Sequence, residues 1–264
     1  MREKIEQRLD ELIPNESSSL IQAARYAVLG GGKRLRPQMV LTAAKMLGAS
    51  EESSLDPACA IEMIHAYSLI HDDLPCMDND AVRHGKPSLH IAFAESTALL
   101  AGDFLLTYAF EILANAPHLN DSQRLQLVKI LSKRAGKEGM IGGQVLDMES
   151  GSKEIDLEKI YAIHRGKTAA LFTACLEFAE VIALKECSAF KAIGQNLGLA
   201  YQILDDLHDA SSKTQEPNIV TLLGRMKAAA KLEELKEFCF SQIKSLPDSE
   251  ELTALTQKLL IRNY

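Results

Sequence analysis

Four aspartates are crowded at the end of an apolar stretch in the first half of the chain. The segment from Leu69 to Asp80 reads LIHDDLPCMDND, and its carboxylates belong to Asp72, Asp73, Asp78 and Asp80. Like charges at this spacing repel one another, and burying a carboxylate is costly unless a cation compensates it. The segment therefore predicts a bound cation.

A second acidic cluster lies in AYQILDDLHD, where another apolar stretch ends. Gln202, Asp205, Asp206 and Asp209 stand at i, i+3, i+4 and i+7, so they share one face of a helix. Clustered aspartates without His or Cys partners suit Mg²⁺, which typically bridges one or two carboxylates to the phosphates of a substrate. A solvated charged face is the alternative interpretation of either cluster taken alone.

Three basic segments could bind the anion that such a cation requires. They are LGGGKRLRP at 29–37, VRHGKP at 82–87 and IHRGKTAALF at 163–172. Lys33 and Arg36 stand near a predicted helix start and could clamp a phosphate, although the segment lacks the spacing of a P-loop and could be a charged surface turn. Lys167 lies in an apolar helical stretch, where a buried lysine requires an anionic partner.

These segments together indicate a substrate with a polyphosphate head and a hydrocarbon tail. His65 lies seven residues before Asp72, about two helical turns, so both residues point to one side; a core histidine is the alternative. The sequence contains neither a nucleophile beside an activating base nor a nucleotide fingerprint. We therefore expect metal-assisted departure of diphosphate.

The composition is that of an ordinary globular protein. The 264 residues are 47% hydrophobic, and 29 basic against 36 acidic residues give a net charge of −7, which argues against a nucleic-acid partner. Five cysteines form no CxxC pair, and neither a leader nor an uncharged run long enough to span a membrane is evident. We expect a cytoplasmic protein without an integral membrane segment.

Apolar residues recur at helical spacing along most of the chain, while alternating strand patterns are scarce. Clusters of Gly, Pro and Asn divide the sequence into nine or ten predicted helices. Several of these are apolar on more than one face, as expected of helices surrounded by other helices. The prediction is an all-α fold with a single-domain helical bundle over residues 1–264.

The sequence closely resembles the trans-isoprenyl diphosphate synthases, in particular the bacterial short-chain type. The motifs that carry the resemblance extend over nearly the whole chain: GGKRLRP at 31–37, IHAYSLIHDDLPCMDND at 64–80, RHGKP at 83–87, LLAGD at 99–103, GGQVLD at 142–147, IHRGKTAAL at 163–171 and QILDDLHD at 202–209. The resemblance implies a helical bundle around a deep apolar cavity, a homodimer, and condensation of isopentenyl diphosphate with allylic diphosphates. It also implies three Mg²⁺ ions.

The resemblance further implies roles for individual residues. It implies that Asp72, Asp78, Lys167 and Asp205 are the catalytic residues. The implied metal ligands are Asp72, Asp73, Asp78, Asp205 and Asp209. The residues implied to hold the allylic head group are Arg83, Lys167, Thr168 and Gln202. Those implied to bind isopentenyl diphosphate are Lys33, Arg36, His65 and His84.

Product length is expected to depend on Tyr67 and Ser68. They precede Asp72 by five and four residues, so they lie about 6–8 Å deeper along the helix. A Tyr at this place, with the spacer LPCM between Asp73 and Asp78, resembles the farnesyl-forming bacterial pattern. Geranylgeranyl diphosphate is the alternative product, and a simple core role is the alternative for Tyr67.

The chain departs from the family pattern at several places. Ala81 replaces a common Asp, and His84 replaces an Arg; a neutral His would bind a diphosphate less strongly. The segment after Asp209 is short, and Lys213 is its one candidate for the lysine that helps hold the leaving group. A terpene cyclase and a non-catalytic regulatory subunit are the less favoured alternatives.

Overall fold

The structure, a computed structural model, describes residues 1–150, 155–209 and 218–260, with the side chain of Asp209 excepted. Backbone packing divides the chain into two compact units. The first comprises Met1–Leu41 with Ser50–Val128, and the second comprises Thr42–Ala49 with Lys129–Tyr264.

The first unit is built around a long helix that ends at the first acidic cluster. Its elements, two of which run on into the second unit, are α1 (Arg2–Leu12), α2 (Ser19–Leu29), α3 (Leu35–Met46), α4 (Glu51–Asp72), β1 (Val82–Arg83), β2 (Lys86–Pro87), α5 (Leu89–Ala92), α6 (Glu95–Ala114) and α7 (Asp121–Ala135). α4 begins after Ser50, whose hydroxyl accepts the backbone N–H of Ser53 at 3.2 Å. It packs against α1, α2 and α6, and its inward residues are completely buried.

α4 and α6 approach each other closely at Gly102. A Cβ built there would lie 2.1 Å from Nε2 of His71, and that nitrogen lies 3.1 Å from the carbonyl oxygen of Leu99. Only glycine leaves room for this imidazole. The approach fixes the last turn of α4, immediately before Asp72.

The second unit surrounds a π-helical turn. Its elements are α8 (Met140–Met148), α9 (Leu157–His164), the π-helical turn Arg165–Ala169, α10 (Ala170–Ala183), α11 (Phe190–Asp209), α12 (Ile219–Leu223), α13 (Arg225–Lys244) and α14 (Glu250–Leu260). α8, α9 and α11 all contact the π-helical turn. Phe172, Phe178 and Phe190 are fully buried in this unit.

Two glycines allow the neighbouring helices to reach the π-helical turn. A Cβ on Gly143 of α8 would lie 2.2 Å from the backbone nitrogen of Lys167, and one on Gly198 of α11 would lie 2.3 Å from Cα of Ala169. Such distances to backbone atoms cannot be relieved by moving a side chain. The turn, which carries Lys167 and Thr168, is therefore held between two helix backbones.

One helix among the described residues, α6, is long and apolar enough to cross a membrane. Its mean hydropathy is 1.5 over an 18-residue window, of which 39% is buried. Core helices of proteins that never enter a membrane have the same length and composition. The finding is weak evidence against the expectation that the chain has no integral membrane segment.

The all-α prediction is confirmed. The described residues contain fourteen α-helices where the sequence predicted nine or ten, because α5 and α12 are too short to produce a periodic pattern, and α7 with α8, and α9 with α10, each lie in one continuous apolar stretch. A two-stranded antiparallel hairpin, with Val82 opposite Pro87 and Arg83 opposite Lys86, was not predicted. The single domain over residues 1–264 stays a prediction.

Substituting Gly143 with alanine should destabilise the second unit. Because the added methyl group would meet backbone atoms of the π-helical turn, we expect the free energy of unfolding to fall by about 1–3 kcal/mol. Urea denaturation measures this change. Ala230→Ser, which adds one atom at an exposed site on α13, is the control and should change stability by less than about 0.5 kcal/mol. Equal stability of both variants would contradict the packing described here.

Candidate functional site

The first acidic cluster folds back on the end of α4. The backbone N–H of Asp78 donates to the carbonyl oxygen of Asp72 at 2.9 Å, and the N–H of Asn79 donates to that of Leu74 at 3.1 Å. Asn79 is left-handed, with a φ of 53°. The LPCM spacer is thus a compact turn that returns Asp78 to the end of the helix, with Asp72 half-buried and Asp78 exposed.

Asp73 differs from its neighbours because it has a tightly bound partner. Its carboxylate is only 2% exposed and accepts Nε of Arg83 at 3.0 and 3.2 Å, and it also accepts Nη2 of Arg83. The same Nη2 donates to Asp80 at 3.2 Å. A buried carboxylate is stable when a guanidinium satisfies it in this way. Asp73 therefore holds Arg83 against the acidic cluster.

Arg83 lies on a hairpin whose turn places His84 beside the glycine-rich loop. His84 and Gly85 both have positive φ, 53° and 75°, as a two-residue primed turn requires. A Cβ built on Gly31 would lie 3.6 Å from Cβ of His84, and one on Gly32 would lie 3.8 Å from its Cε1. The structure thus brings the first two predicted basic segments together.

The glycine-rich loop is anchored by Arg34, which is only 4% exposed. Its guanidinium donates to Glu6 from Nε and Nη2, both at 3.0 Å, and to Glu62 of α4 from Nη1 at 2.9 Å. It also donates to the carbonyl oxygen of Val28. With Arg34 fixed inside the fold, Lys33 remains exposed and Arg36 half-buried on either side of it.

Positive charges surround His65 on α4. The pKa of His65 lies well below its ordinary value, first because burial disfavours the charged ring and then because Arg36, His84, Arg34 and Arg83 repel a proton. The pKa of His84 is also lowered, mainly by burial and then by Arg83 and Arg34. The positive groups around these two histidines make this part of the first unit suited to an anion.

Tyr67 lies buried one turn before His71, with the two rings edge to face at 5.7 Å. Its hydroxyl has no hydrogen-bond partner among the residues that the structure describes, and burial, followed by the charge of Asp72, raises the pKa of Tyr67 to about 12. Ser68 is half-buried and donates its hydroxyl to the carbonyl oxygen of His65 at 2.9 Å. Of the two predicted length-determining residues, Tyr67 has the larger and more deeply buried side chain.

In the second unit, the π-helical turn aligns two predicted ligands of an anion. Nζ of Lys167 donates to Asp147 of α8 at 2.9 Å, and the hydroxyl of Thr168 donates to Oε1 of Gln202 at 2.8 Å. π-Helical turns inside α-helices are often found at functional sites. The sequence had assigned no ion-pair partner to Lys167; Asp147 is that partner.

The second acidic cluster contains carboxylates in different environments. Asp205 is half-buried, whereas Asp206 is 6% exposed and accepts Nε2 of Gln202 at 3.2 Å and the backbone N–H of Ile219 at 3.1 Å. Asp209 ends α11, and its side chain is not among those described. Lys213 lies outside the described residues.

The donor sets fit a hard cation that takes part of its coordination shell from a substrate. Among the side chains that the structure describes, no three His, Cys, Asp or Glu residues are grouped as a complete metal site. Mg²⁺ usually retains waters and binds through one or two carboxylates together with substrate phosphates. Asp72 and Asp78 of the first acidic cluster can supply one such partial set of ligands, and Asp205 of the second cluster can supply another.

Three residues that matter for the geometry of these clusters had no role assigned from the sequence. Arg34, Asp147 and His164 are fixed by partners distant in the chain, such as Glu62 and Lys167. A signal was present for Asp147, since it ends the GGQVLD motif on which the resemblance partly rests. Arg34 lies inside a recognised basic motif, but its burial could not be read there.

Comparison with known proteins gives one consistent result. Residues 17–219 match the family model described as polyprenyl synthetase. The farnesyl diphosphate synthase of Haemophilus influenzae is 39% identical over 96% of this chain and 92% of its own length. The large subunit 1 of a heterodimeric geranylgeranyl pyrophosphate synthase from Arabidopsis thaliana is 39% identical over 81% of this chain and 60% of its own length.

Two solved structures share the fold over nearly the whole chain. A farnesyl and geranylfarnesyl diphosphate (FPP/GFPP) synthase from Zymomonas mobilis has a TM-score of 0.92 and 37% identity, covering 97% of this chain and 95% of its own. A geranyltransferase from Helicobacter pylori, complexed with magnesium and isoprenyl diphosphate, has a TM-score of 0.88 and 34% identity, covering 98% of this chain and 93% of its own.

Removing the Arg34 guanidinium should destabilise the fold strongly. Arg34→Met leaves the buried carboxylate of Glu62 without its cation, so we expect a loss of about 3–5 kcal/mol in the free energy of unfolding. The double variant Arg34→Met/Glu62→Leu removes both charges and should recover a large part of that loss. Urea denaturation of the wild type and of the two variants measures the free energy of unfolding. If the double variant were no more stable than Arg34→Met, Glu62 would not be the partner that matters.

Proposed function

Because the chain belongs to the polyprenyl synthetase family and is a short-chain prenyltransferase of the farnesyl diphosphate synthase-like kind, we propose that it condenses isopentenyl diphosphate with dimethylallyl and geranyl diphosphates to give farnesyl diphosphate. The observation that carries the proposal is the arrangement along α4. This helix ends in an acidic cluster, and a separate group of cationic and imidazole side chains surrounds His65. A two-substrate condensation requires two such distinct sites, whereas a cyclase has one diphosphate to bind.

The acidic residues would hold the allylic substrate through metal ions. Asp72, Asp78 and Asp205 are proposed to ligate Mg²⁺, with Asp73 and Asp209 as further predicted ligands and three ions as the predicted number. Bound Mg²⁺ would neutralise the diphosphate and make it a better leaving group. Arg83, Lys167, Thr168 and Gln202 would donate to the oxygens of the same group.

Isopentenyl diphosphate would be bound by the cluster in the first unit. Lys33 and Arg36 flank the anchored Arg34, and His65 and His84 adjoin the same loop. The positive charge of Lys33 and Arg36, beside two histidines whose pKa values are lowered partly by neighbouring guanidinium groups, would favour a diphosphate. This is the electrostatic reason for assigning an anion, and not a second cation, to this cluster.

The reaction would proceed by ionisation, condensation and elimination. The allylic C–O bond breaks, and its electrons leave with the diphosphate while the charge of that group is stabilised by Lys167 and Arg83. The double bond of isopentenyl diphosphate then attacks the allylic cation. A proton leaves the adjacent carbon of the new cation, and the released diphosphate accepts it. Apolar side chains would have to exclude the water that would otherwise capture the cation.

Geranylgeranyl diphosphate is the second candidate product, since geranylgeranyl-forming relatives match at similar identity. Buried Tyr67, deeper on α4 than Asp72, supports the shorter product. We further propose that the protein is a cytoplasmic homodimer, as the resemblance implies.

The direct test is to incubate the purified protein with isopentenyl diphosphate and either dimethylallyl or geranyl diphosphate, with Mg²⁺ or with EDTA, and to identify the products by mass spectrometry. We expect Mg²⁺-dependent formation of the C15 product from both allylic substrates. A cyclic hydrocarbon formed from one substrate alone would select the cyclase. Absence of turnover with every pairing would select a regulatory subunit.

Shortening Tyr67 should lengthen the product. Tyr67→Ala removes the buried ring that would stop the growing chain, so C20 and longer products should become the majority. Tyr67→Phe is the matched control, because it keeps the ring and removes only the unpartnered hydroxyl, and it should still give C15. Product chromatography distinguishes them; an unchanged distribution in Tyr67→Ala would refute the assignment.

His84 should make isopentenyl diphosphate binding dependent on pH. Because its pKa is lowered in the free protein and a bound diphosphate would raise it, protonation accompanies binding, and KM should decrease as pH falls from about 8 toward the lowered pKa. His84→Arg is charged throughout, so at pH 8 its KM should be about tenfold lower, and its pH profile should be flatter. Substrate ionisation is common to both proteins and cancels in the comparison. Identical profiles would exclude a contact with His84.

A further inference from the structure

A buried polar chain connects two proposed ligands of the allylic diphosphate to Asp206. Thr168 donates to Oε1 of Gln202 at 2.8 Å, and Nε2 of Gln202 donates to Oδ1 of Asp206 at 3.2 Å. Since a carboxylate only accepts hydrogen bonds, the orientation of the Gln202 amide is determined by Asp206. In this orientation, Nε2 of Gln202 has a second N–H group, which can donate a hydrogen bond to a phosphate oxygen.

Asp206 is itself held by its other oxygen. Oδ2 accepts the backbone N–H of Ile219 at 3.1 Å, and Nε2 of His164 lies 3.6 Å away from it. Ile219 is the first residue of α12, where the side chain of Asn218 caps the helix by accepting the N–H groups of Val220 and Thr221. The Ile219 N–H has no partner within the helix, so Asp206 satisfies it.

His164 is a further neighbour of this carboxylate, and it also lies near Asp147 and Lys167. It is 7% exposed at the end of α9, directly before the π-helical turn. Asp206, Asp147 and Lys167 are all close enough to influence its charge. Burial outweighs the two carboxylates and lowers its pKa, so the ring is neutral. The carboxylate beside Nε2 favours the tautomer that carries its proton there.

We propose that His164 is a positioning residue: its Nε2, which lies 3.6 Å from Oδ2 of Asp206, carries a proton that attracts this carboxylate and keeps it in the orientation in which it aligns Gln202, and through Gln202 also Thr168, toward the allylic diphosphate. This inference rests on the proposed function, because it assumes that these two residues bind that group.

The environment of the other ring nitrogen, Nδ1, distinguishes a positioning role for His164 from a simple packing role. Nδ1 of His164 is buried and has no hydrogen-bond partner among the described residues. An unsatisfied buried acceptor destabilises a fold, so an apolar ring of similar size would pack here at no loss of stability. A histidine therefore contributes orientation and not stability at this position.

The test compares three substitutions. His164→Phe removes the donor, and His164→Asn moves its amide N–H toward the position of Nδ1, away from Asp206. His164→Gln places an amide N–H near the position of Nε2. We expect KM for geranyl diphosphate to rise about tenfold in the Phe and Asn variants and to stay within about threefold of the wild type in the Gln variant. KM for isopentenyl diphosphate should be nearly unchanged in all three, and the melting temperature should be nearly unchanged in the Phe variant.

Two controls accompany these variants. His118→Phe alters an exposed histidine between α6 and α7, and Thr256→Val removes another buried, unpartnered side-chain oxygen; neither should change either KM. In a double-mutant cycle, Gln202→Ala should abolish the effect of the His164 substitutions on KM for geranyl diphosphate. Calorimetric titration with inorganic pyrophosphate and Mg²⁺ should show the same tenfold weakening as the kinetic measurement.

The outcomes separate this inference from the proposed function. If the wild-type protein forms no prenyl product, the proposed function fails, whatever the His164 variants do in the pyrophosphate titration. If the wild type is active, the inference is overturned by an unchanged KM in the Phe and Asn variants, by equal impairment of the Gln and Asn variants, or by additive effects in the cycle. If His164→Phe does not fold, the comparison of Asn with Gln decides the question.

Discussion

The structure depends on one constraint: each charged side chain that is removed from water must be compensated by a partner of opposite charge. Ionised groups that are removed from water are tolerated only when a partner satisfies them. The protein meets this requirement internally at Arg34, which Glu6 and Glu62 satisfy, and at Asp73, which Arg83 satisfies. The groups with this internal compensation hold the loop, the hairpin and α4 together. They thereby position the charged groups whose compensation is proposed to come from substrates.

Carboxylates within one acidic motif lie in different environments. In the first acidic cluster, Asp73 is buried by its guanidinium partner, while Asp72 and Asp78 lie at the end of α4. In the second, Asp206 is buried by Gln202, Ile219 and His164, while Asp205 is half-buried. Adjacent carboxylates of one motif are therefore buried and hydrogen-bonded to different extents, depending on where each side chain is directed.

Much of this arrangement was predictable from the sequence. Helical periodicity predicted the all-α class, and the spacing of Gln202, Asp205 and Asp206 predicted their common helix face. Local rules could not predict Arg34 with Glu62, or Lys167 with Asp147, because these partners lie far apart in the chain and meet only through helix packing. The hairpin at residues 82–87 was missed because two-residue strands have no detectable alternation, although Gly85 is the residue type that the second position of such a turn favours.

The central claim is that the acidic residues bind Mg²⁺ together with a diphosphate and not alone. Isothermal titration calorimetry with Mg²⁺, in the presence and absence of inorganic pyrophosphate, tests it most directly in the wild type and in Asp72→Asn and Asp205→Asn. The account predicts weak Mg²⁺ binding alone, much tighter binding with pyrophosphate, and loss of that enhancement in each variant. Mg²⁺ binding that is equally tight without pyrophosphate, or an enhancement that survives both substitutions, would contradict it.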